Sequence, residues 1–225
     1  MTNSPVLLSV NVGRARPTEH SDVDVTGIDK RPVDGQVEVR APGPEQGTSG
    51  VVGDHVCDYR HHGGDDQAVY AYAREDLDRW QEELGRPLTN GVFGENLTTT
   101  GLDVTAAVIG ERWRIGDALL EVCSVRIPCR TFAGWLAERG WVRRFTERAV
   151  PGAYLRVLEP GAVGAGMPVD VVSRPDHGLT VGRTFLALTT EPELLPELLL
   201  ADALVDEAKE KARRRTGAAT HHGGR

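Results

Sequence analysis

The sequence predicts a β-rich α+β protein. A barrel-like β domain with a few short helices is expected over residues 1–175, a small C-terminal three-helix appendage over 176–217, and a disordered tail at 218–225. Three observations predict this. Short β-branched and apolar runs recur through the first three quarters of the chain, parted by Gly- and Pro-bearing turns. Helical spacing occurs only in isolated stretches and never alternates regularly with strands, which argues against a doubly wound sheet. After Arg174-Pro175-Asp176 the composition changes and apolar residues fall at helical spacing.

In order along the chain, strands are expected at 6–12, at 23–28, and at 36–40 after the turn signal Pro32-Val33-Asp34-Gly35. Residues 42–50 read as an exposed Pro/Gly-rich loop. Val51-Val52-Gly53-Asp54 then leads toward Arg60-His61-His62-Gly63-Gly64-Asp65. The first helix is expected at 74–84: Leu77, Trp80 and Leu84 fall at i, i+3 and i+7 among charged residues, and Gly85 with Pro87 ends it. A glycine-punctuated loop at 91–96 precedes expected strands at 97–100, 104–109, 113–115 and 118–125. Two short helices, 132–139 and 141–147, are divided by Gly140. Strands at 154–158 and 169–173 follow, with the turn Glu159-Pro160-Gly161 between them. Val181, Phe185 and Leu188 open the last segment, and apolar-rich runs at 193–200 and 203–215 complete it. Three helices this short bury little alone, so they are expected to pack on the main domain.

Composition narrows the function. At 225 residues the chain can bury a proper core without disulfide or structural metal. A net charge of −7 argues against general nucleic-acid or anionic-membrane binding, which needs a basic surface. Only Lys30, Lys209 and Lys211 are lysines, so arginine, the bidentate binder of phosphates and carboxylates, carries nearly all the positive charge. No stretch approaches a membrane span, no basic leader precedes the first apolar run, and three cysteines without a CxxC pair point to reduced thiols in the cytoplasm. No flavin, haem or iron–sulfur motif is evident, so redox chemistry would need an external donor.

The chemistry centres on Arg126-Ile127-Pro128-Cys129-Arg130, a cysteine between two arginines just after a strand. Two guanidinium groups, and a following helix with Thr131 as its expected cap, favour the thiolate, a nucleophile or metal ligand. Cys123 falls within an apolar strand pattern and reads as core, whereas Cys57 stays open. In His61-His62-Gly63-Gly64 the glycines let backbone N–H groups approach an anion, and Arg60 adds charge. The spacings of His55, Cys57, His61 and His62 match no familiar zinc pattern. Asn96 in Phe93-Gly94-Glu95-Asn96-Leu97 could read the edge of a heterocycle or serve as a turn residue. Glu95 could be an acid–base group or an arginine partner. Arg213-Arg214-Arg215 with Lys209 and Lys211 could be a solvated helix end or a docking patch for an acidic electron-transfer partner.

Together, His62-Gly63-Gly64-Asp65, Ala68-Val69-Tyr70-Ala71-Tyr72, Phe93-Gly94-Glu95-Asn96-Leu97, Arg126-Ile127-Pro128-Cys129 and Gly152-Ala153-Tyr154-Leu155-Arg156-Val157 resemble, in order, the motifs of the MOSC family (molybdenum cofactor sulfurase C-terminal domain). The resemblance is strongest to its YiiM-like branch, including that branch's three-helix C-terminal domain. It implies a molybdopterin-type cofactor with Cys129 as thiolate on molybdenum. Arg60, His62, Gly63, Gly64, Asn96, Arg126 and Arg130 are the implied cofactor contacts. It also implies reduction of N-hydroxylated compounds, with electrons from an external flavin or iron–sulfur reductase. The alternative it leaves is a carrier of sulfur or cofactor using a Cys129 persulfide without redox turnover. No pyridoxal phosphate is expected, because the family's link to it belongs to a fused desulfurase domain that this sequence lacks.

Overall fold

Most of the short apolar runs become strands of one eight-stranded sheet. The structure, a computed structural model, describes residues 4–43, 49–58 and 62–220, the side chains of 218–220 excepted. The strands are β1 (Val6–Gly13), β2 (Arg16–Pro17), β3 (Val25–Thr26), β4 (Lys30–Pro32), β5 (Gln36–Val39), β6 (Val69–Ala73), β7 (Leu97–Thr100), β8 (Arg112–Ile115), β9 (Ala118–Val125), β10 (Ala153–Glu159), β11 (Gly161–Gly164) and β12 (Asp170–Ser173). The helices are α1 (Arg74–Leu84), α2 (Arg130–Leu136), α3 (Trp141–Arg148), α4 (Val181–Leu188) and α5 (Asp206–Thr220), with 3-10 turns at Asp65–Gln67 and Pro192–Leu200. None of the described helices is long and apolar enough to cross a membrane.

The sheet order is β12-β8-β9-β10-β6-β7-β1-β4, and every pairing is antiparallel except β6 with β7. A parallel pair requires a crossover, and α1 provides it, lying between β6 and β7 in the chain. The sheet curls without closing. Among the described residues, its two sides meet where β1 bonds to the stretch ahead of β12, through Leu7 N to Met167 O (2.9 Å), Gly166 N to Leu7 O (2.8 Å) and the Val6–Pro168 bridge. The barrel-like expectation therefore holds as curvature, not as a closed ladder. β2–β3 and β5–β11 form separate two-stranded pieces.

Aromatic side chains fill the space between the sheet and helices α1 to α3. Trp80 of α1 lies 4.6 Å from Trp141 of α3, centroid to centroid, and Phe93 lies 5.1 Å from both Tyr72 of β6 and Phe132 of α2. Rings meeting edge to face at these distances add to the stabilisation from buried area. The C-terminal elements share this core: Phe185 of α4 packs edge-on to Phe145, and the Val205 amide donates to Cys123 O.

Four expectations change. Residues 104–109 form a turn, because the Asp103 carboxylate accepts from the Ala106 amide (2.9 Å) and diverts the backbone from a ladder. Val104, Ala107, Val108 and Ile109 are buried beneath the start of α4, where Val181 N donates to Ala107 O. The 23–28 strand shrinks to the two residues of β3, held by β2 alone. In the C-terminal segment Pro192 and Pro196 remove amide donors, so the middle element is 3-10 rather than α. α5 continues to Thr220, beyond the expected start of the tail at 218, through the helix-forming Ala218-Ala219. Residues 221–225, with His221-His222, lie outside the described residues.

The crossover is pinned at its far end by Glu95. This fully buried carboxylate accepts from the amides of Gly91 (2.5 Å) and Phe93 (3.0 Å) and from the Thr98 hydroxyl (2.9 Å). It is neither an arginine partner nor open to substrate. Glu95→Ala would orphan these donors and should lower unfolding free energy by about 3 kcal/mol in denaturant titration. A loss below about 0.5 kcal/mol, the range of ordinary surface changes, would refute the structural role.

Candidate functional site

Strand β9 delivers the chain to Arg126, and Pro128 fixes the backbone before Cys129. Cys129 itself, in extended conformation (φ −126°, ψ 173°), occupies the cap position of α2 that the sequence suggested for Thr131. Thr131 is the second helical residue, and its hydroxyl donates to His20 O (3.1 Å). The Cys129 sulfur is half-buried in the wall of an open cleft enclosing about 660 Å³ of space continuous with solvent. Burial would push its thiol up. A hydrogen bond from His62, the Arg126 charge and the Phe132 amide outweigh that and bring it down from 9.0 to about 7.

Arg126 is the charge that matters here. It is 7% exposed, and its Nη1 donates to the Tyr154 hydroxyl (3.2 Å). Its guanidinium lies over the rings of Phe132 (4.7 Å) and Tyr70 (5.2 Å). Its Nε is buried without a hydrogen-bond partner, and no described carboxylate pairs with it. The other flanking arginine turns away: Arg130 Nη2 donates to Glu19 O (2.9 Å), and its guanidinium faces Asp22 (3.6 Å). Only one of the two expected guanidinium groups therefore serves the cleft.

His62 and Gly63 also line the cleft. Gly63 has φ 88°, a left-handed conformation that disfavours any side chain. Gly64 instead caps the 3-10 turn at Asp65–Gln67. Arg60 lies outside the described residues. Asn96 reaches the cleft, but its side chain is held from three directions. Its Oδ1 accepts from Tyr70 N (3.2 Å), and its Nδ2 donates to Asn11 O (3.3 Å) and Asp54 Oδ2 (2.9 Å).

Sequence reasoning missed the cleft floor. Lys30 Nζ sits 2.5 Å from both Asp54 oxygens, in a pair almost wholly buried, and both residues line the cleft. A signal existed, since Lys30 is the sole lysine outside the last helix. Cys57 and Tyr154 line the cleft as well. Burial raises the Cys57 thiol, against the lowering effect of Lys30. Cys123 is core, as expected: it is fully buried, donates to Asp66 O (3.2 Å), and is pushed by burial up to about 12. Of the C-terminal cations, Lys209 and Lys211 donate to Asp202 O and Leu188 O within their own segment, while Arg213, Arg214 and Arg215 are exposed.

Known proteins align with this arrangement. The MOSC domain family model matches residues 58–170, from the histidine–glycine loop to the start of β12. An uncharacterised Bacillus subtilis protein, YflK, is 35% identical over 176 residues, covering 78% of this chain and 76% of YflK. A Gibberella moniliformis protein named a reductase is 30% identical over 219 residues; these are 92% of this chain but 37% of that protein. Among solved structures, YiiM from Geobacillus stearothermophilus matches with a TM-score of 0.76 and 28% identity, over 94% of this chain and 98% of that one.

The three thiols should separate by pH. Alkylation of Cys129 by iodoacetamide should rise with pH through a midpoint near about 7, because the thiolate reacts, while Cys123 should stay inert in the folded protein. His62→Ala should move the Cys129 midpoint up toward its ordinary value. A midpoint that stays put would remove His62 from the thiolate's support.

Proposed function

The chain belongs to the MOSC domain family, of the YiiM-like kind, and on that premise we propose a molybdenum-cofactor-dependent reductase that removes oxygen from N-hydroxylated compounds. The observation that carries the reading is a half-buried thiol held near pH 7 beside a buried cation with an unfilled donor. MOSC domains are associated with the molybdenum cofactor. The donor set suits such a group, because no three described His, Cys, Asp or Glu side chains cluster to cage a metal by themselves. A metal carried in by an organic cofactor needs only one protein thiolate, and Cys129 is placed to give it.

In this reading Cys129 is the metal ligand and Arg126, a buried cation without a carboxylate that lines the cleft, draws an anionic part of the cofactor, with His62 and the Gly63 backbone beside it. When bound, the cofactor would supply a two-electron centre able to accept oxygen. The protein's own residues do the rest. His62 and Arg126 bring the thiol down to about 7 against burial, and Pro128 with α2 fixes its position. Removing oxygen from an N–OH group takes an electron pair and two protons and releases water. The fungal relative named a reductase is far longer than this chain, which spans 37% of it. A separate flavin or iron–sulfur protein in the cytoplasm is the proposed electron donor, because the sequence shows no evident flavin, haem or iron–sulfur motif.

Metal content per chain tests this after expression in a host that makes molybdopterin. Wild type should carry molybdenum and reduce an amidoxime with a chemical electron donor, and Cys129→Ser should lose both. Full activity in Cys129→Ser would refute the mechanism. Metal-free wild type bearing cyanide-labile sulfur on Cys129 would establish the persulfide carrier instead.

A further inference from the structure

The wall of the cleft beside Cys129 is built by the short hairpin of β2 and β3, residues 16–26, and by the two residues after it. Ser21, Val25, Thr26, Gly27 and Ile28 line the cleft from this side, and none carries an ionisable group. The remaining walls hold Arg126, Asp58 and the Lys30–Asp54 pair, with the His62 imidazole among them. The cleft is thus two-sided, with one wall charged and the other apolar and hydroxyl-bearing.

The hairpin has little to hold it in place by itself. Two paired residues on each strand form its entire ladder, and a hairpin this small is marginal in water. Its position comes from α2. Arg130 donates to Glu19 O, Thr131 donates to His20 O, and Arg16 lies over the Trp135 ring at 6.0 Å. The closest contact is His20 on Gly134. A Cβ built on Gly134 would lie 2.1 Å from His20 Cγ and 2.6 Å from His20 Cβ. Because His20 Cβ is itself in the way, no rotamer of His20 relieves the clash, and the hairpin backbone would have to move. α2 is anchored to the core as well, where Phe132 packs edge-on to Phe93 (5.1 Å) and Trp135 Nε1 donates to Val92 O (2.8 Å). The hairpin is therefore the element that would yield.

We propose that the 16–26 hairpin is the substrate-selecting wall of the cleft, that it favours N-hydroxylated compounds with an uncharged organic body, and that His20 seated on Gly134 is the latch holding it beside Cys129. This rests on the reductase reading for the nature of the substrate, whereas the latch stands on geometry alone. The N–O group would face the charged wall where Cys129 lies, and the organic body would lie against Val25, Thr26 and Ile28. The short helix α2 would then set both the sulfur and the wall that selects what reaches it.

The latch is tested without cofactor. Gly134→Ala should strengthen α2 as a helix, since alanine is the better helix former, so any loosening must come from the displaced hairpin. In Gly134→Ala, and separately in His20→Ala, the plateau rate of Cys129 alkylation should rise at least about threefold as local opening exposes the sulfur. The pH midpoint should stay near about 7. Unchanged plateaus in both variants, or a shift of midpoint alone, would overturn the latch. Selection is tested in the loaded protein with a narrow and a wide uncharged amidoxime. Val25→Phe should raise KM for the wide one at least about fivefold more than for the narrow one, with kcat nearly constant, because it alters uniform binding. Equal effects on both, or an effect on kcat alone, would overturn selection by this wall. If wild type turns over neither amidoxime while alkylation behaves as expected, the latch stands and the choice of substrate falls with the reductase reading.

Discussion

The Asp54 carboxylate accepts hydrogen bonds from four separate parts of the chain. They come from the Gly13 amide at the end of β1 (2.7 Å), Lys30 on β4, the Ser49 hydroxyl (2.7 Å) and the Asn96 side chain just ahead of β7 (2.9 Å). A carboxylate with its side chain 1% exposed would cost several kcal/mol if left alone, and so would the buried ammonium opposite it. Each offsets the other, and the neighbouring donors fill the remaining lone pairs. The result is a rigid floor to which the first strands, the 49–58 loop and the crossover are all tied. The same saturation decides what the floor can do. Lys30 and Asn96 face the cleft but are committed to Asp54, so neither is the group with binding capacity to spare.

That capacity lies with Arg126. A guanidinium buried without a carboxylate is stabilised here by two aromatic faces and one phenol oxygen, which leaves its Nε open. The nearby Cys129 thiol completes the electrostatics: the cation favours the thiolate, and the thiolate offsets part of the cation's burial. The pair is mutually supporting but unfinished, because a thiolate with metal affinity and a cation without a counter-charge both line the same cleft. A cofactor carrying a metal and an acidic group satisfies both at once.

The sequence was most legible where a single periodicity ruled. α1 begins and ends where its apolar spacing and Gly85 place it, because one face meets Trp141 and the other meets water. Strand β6 was less legible as a strand. All five of its residues are buried, so no polar alternation marks it, although its tyrosines stood out as a motif. Residues 104–109 look like a strand because burial demanded apolar residues there, although the segment pairs with the chain before α4 only through the isolated Val108–Thr180 bridge and joins no sheet. At the site, Cys129 was legible from its neighbours, but Arg126 and Arg130 are equivalent on paper. They differ because one leaves a strand pointing inward and the other starts a helix pointing out toward the hairpin. Lys30 and Asp54 were not legible as a pair, since 24 residues separate them and only the folded β1–β4 edge brings them together.

The environments of the three cysteines bear on what kind of protein this is. Cys123 is locked among carbonyls in the core, and Cys57, though in the cleft, is held as a thiol by burial. Cys129 alone of the three has its thiol brought down, to about 7, and its position differs from what a carrier needs. A carrier hands its sulfur to a partner, which favours a sulfur at an exposed tip reachable by another protein. Here the sulfur sits at the start of a helix wedged between Phe93 and the hairpin, beside a buried cation and half-covered by the cleft walls. The strength of the thiolate and the restriction of its access together favour a fixed ligand over a mobile donor.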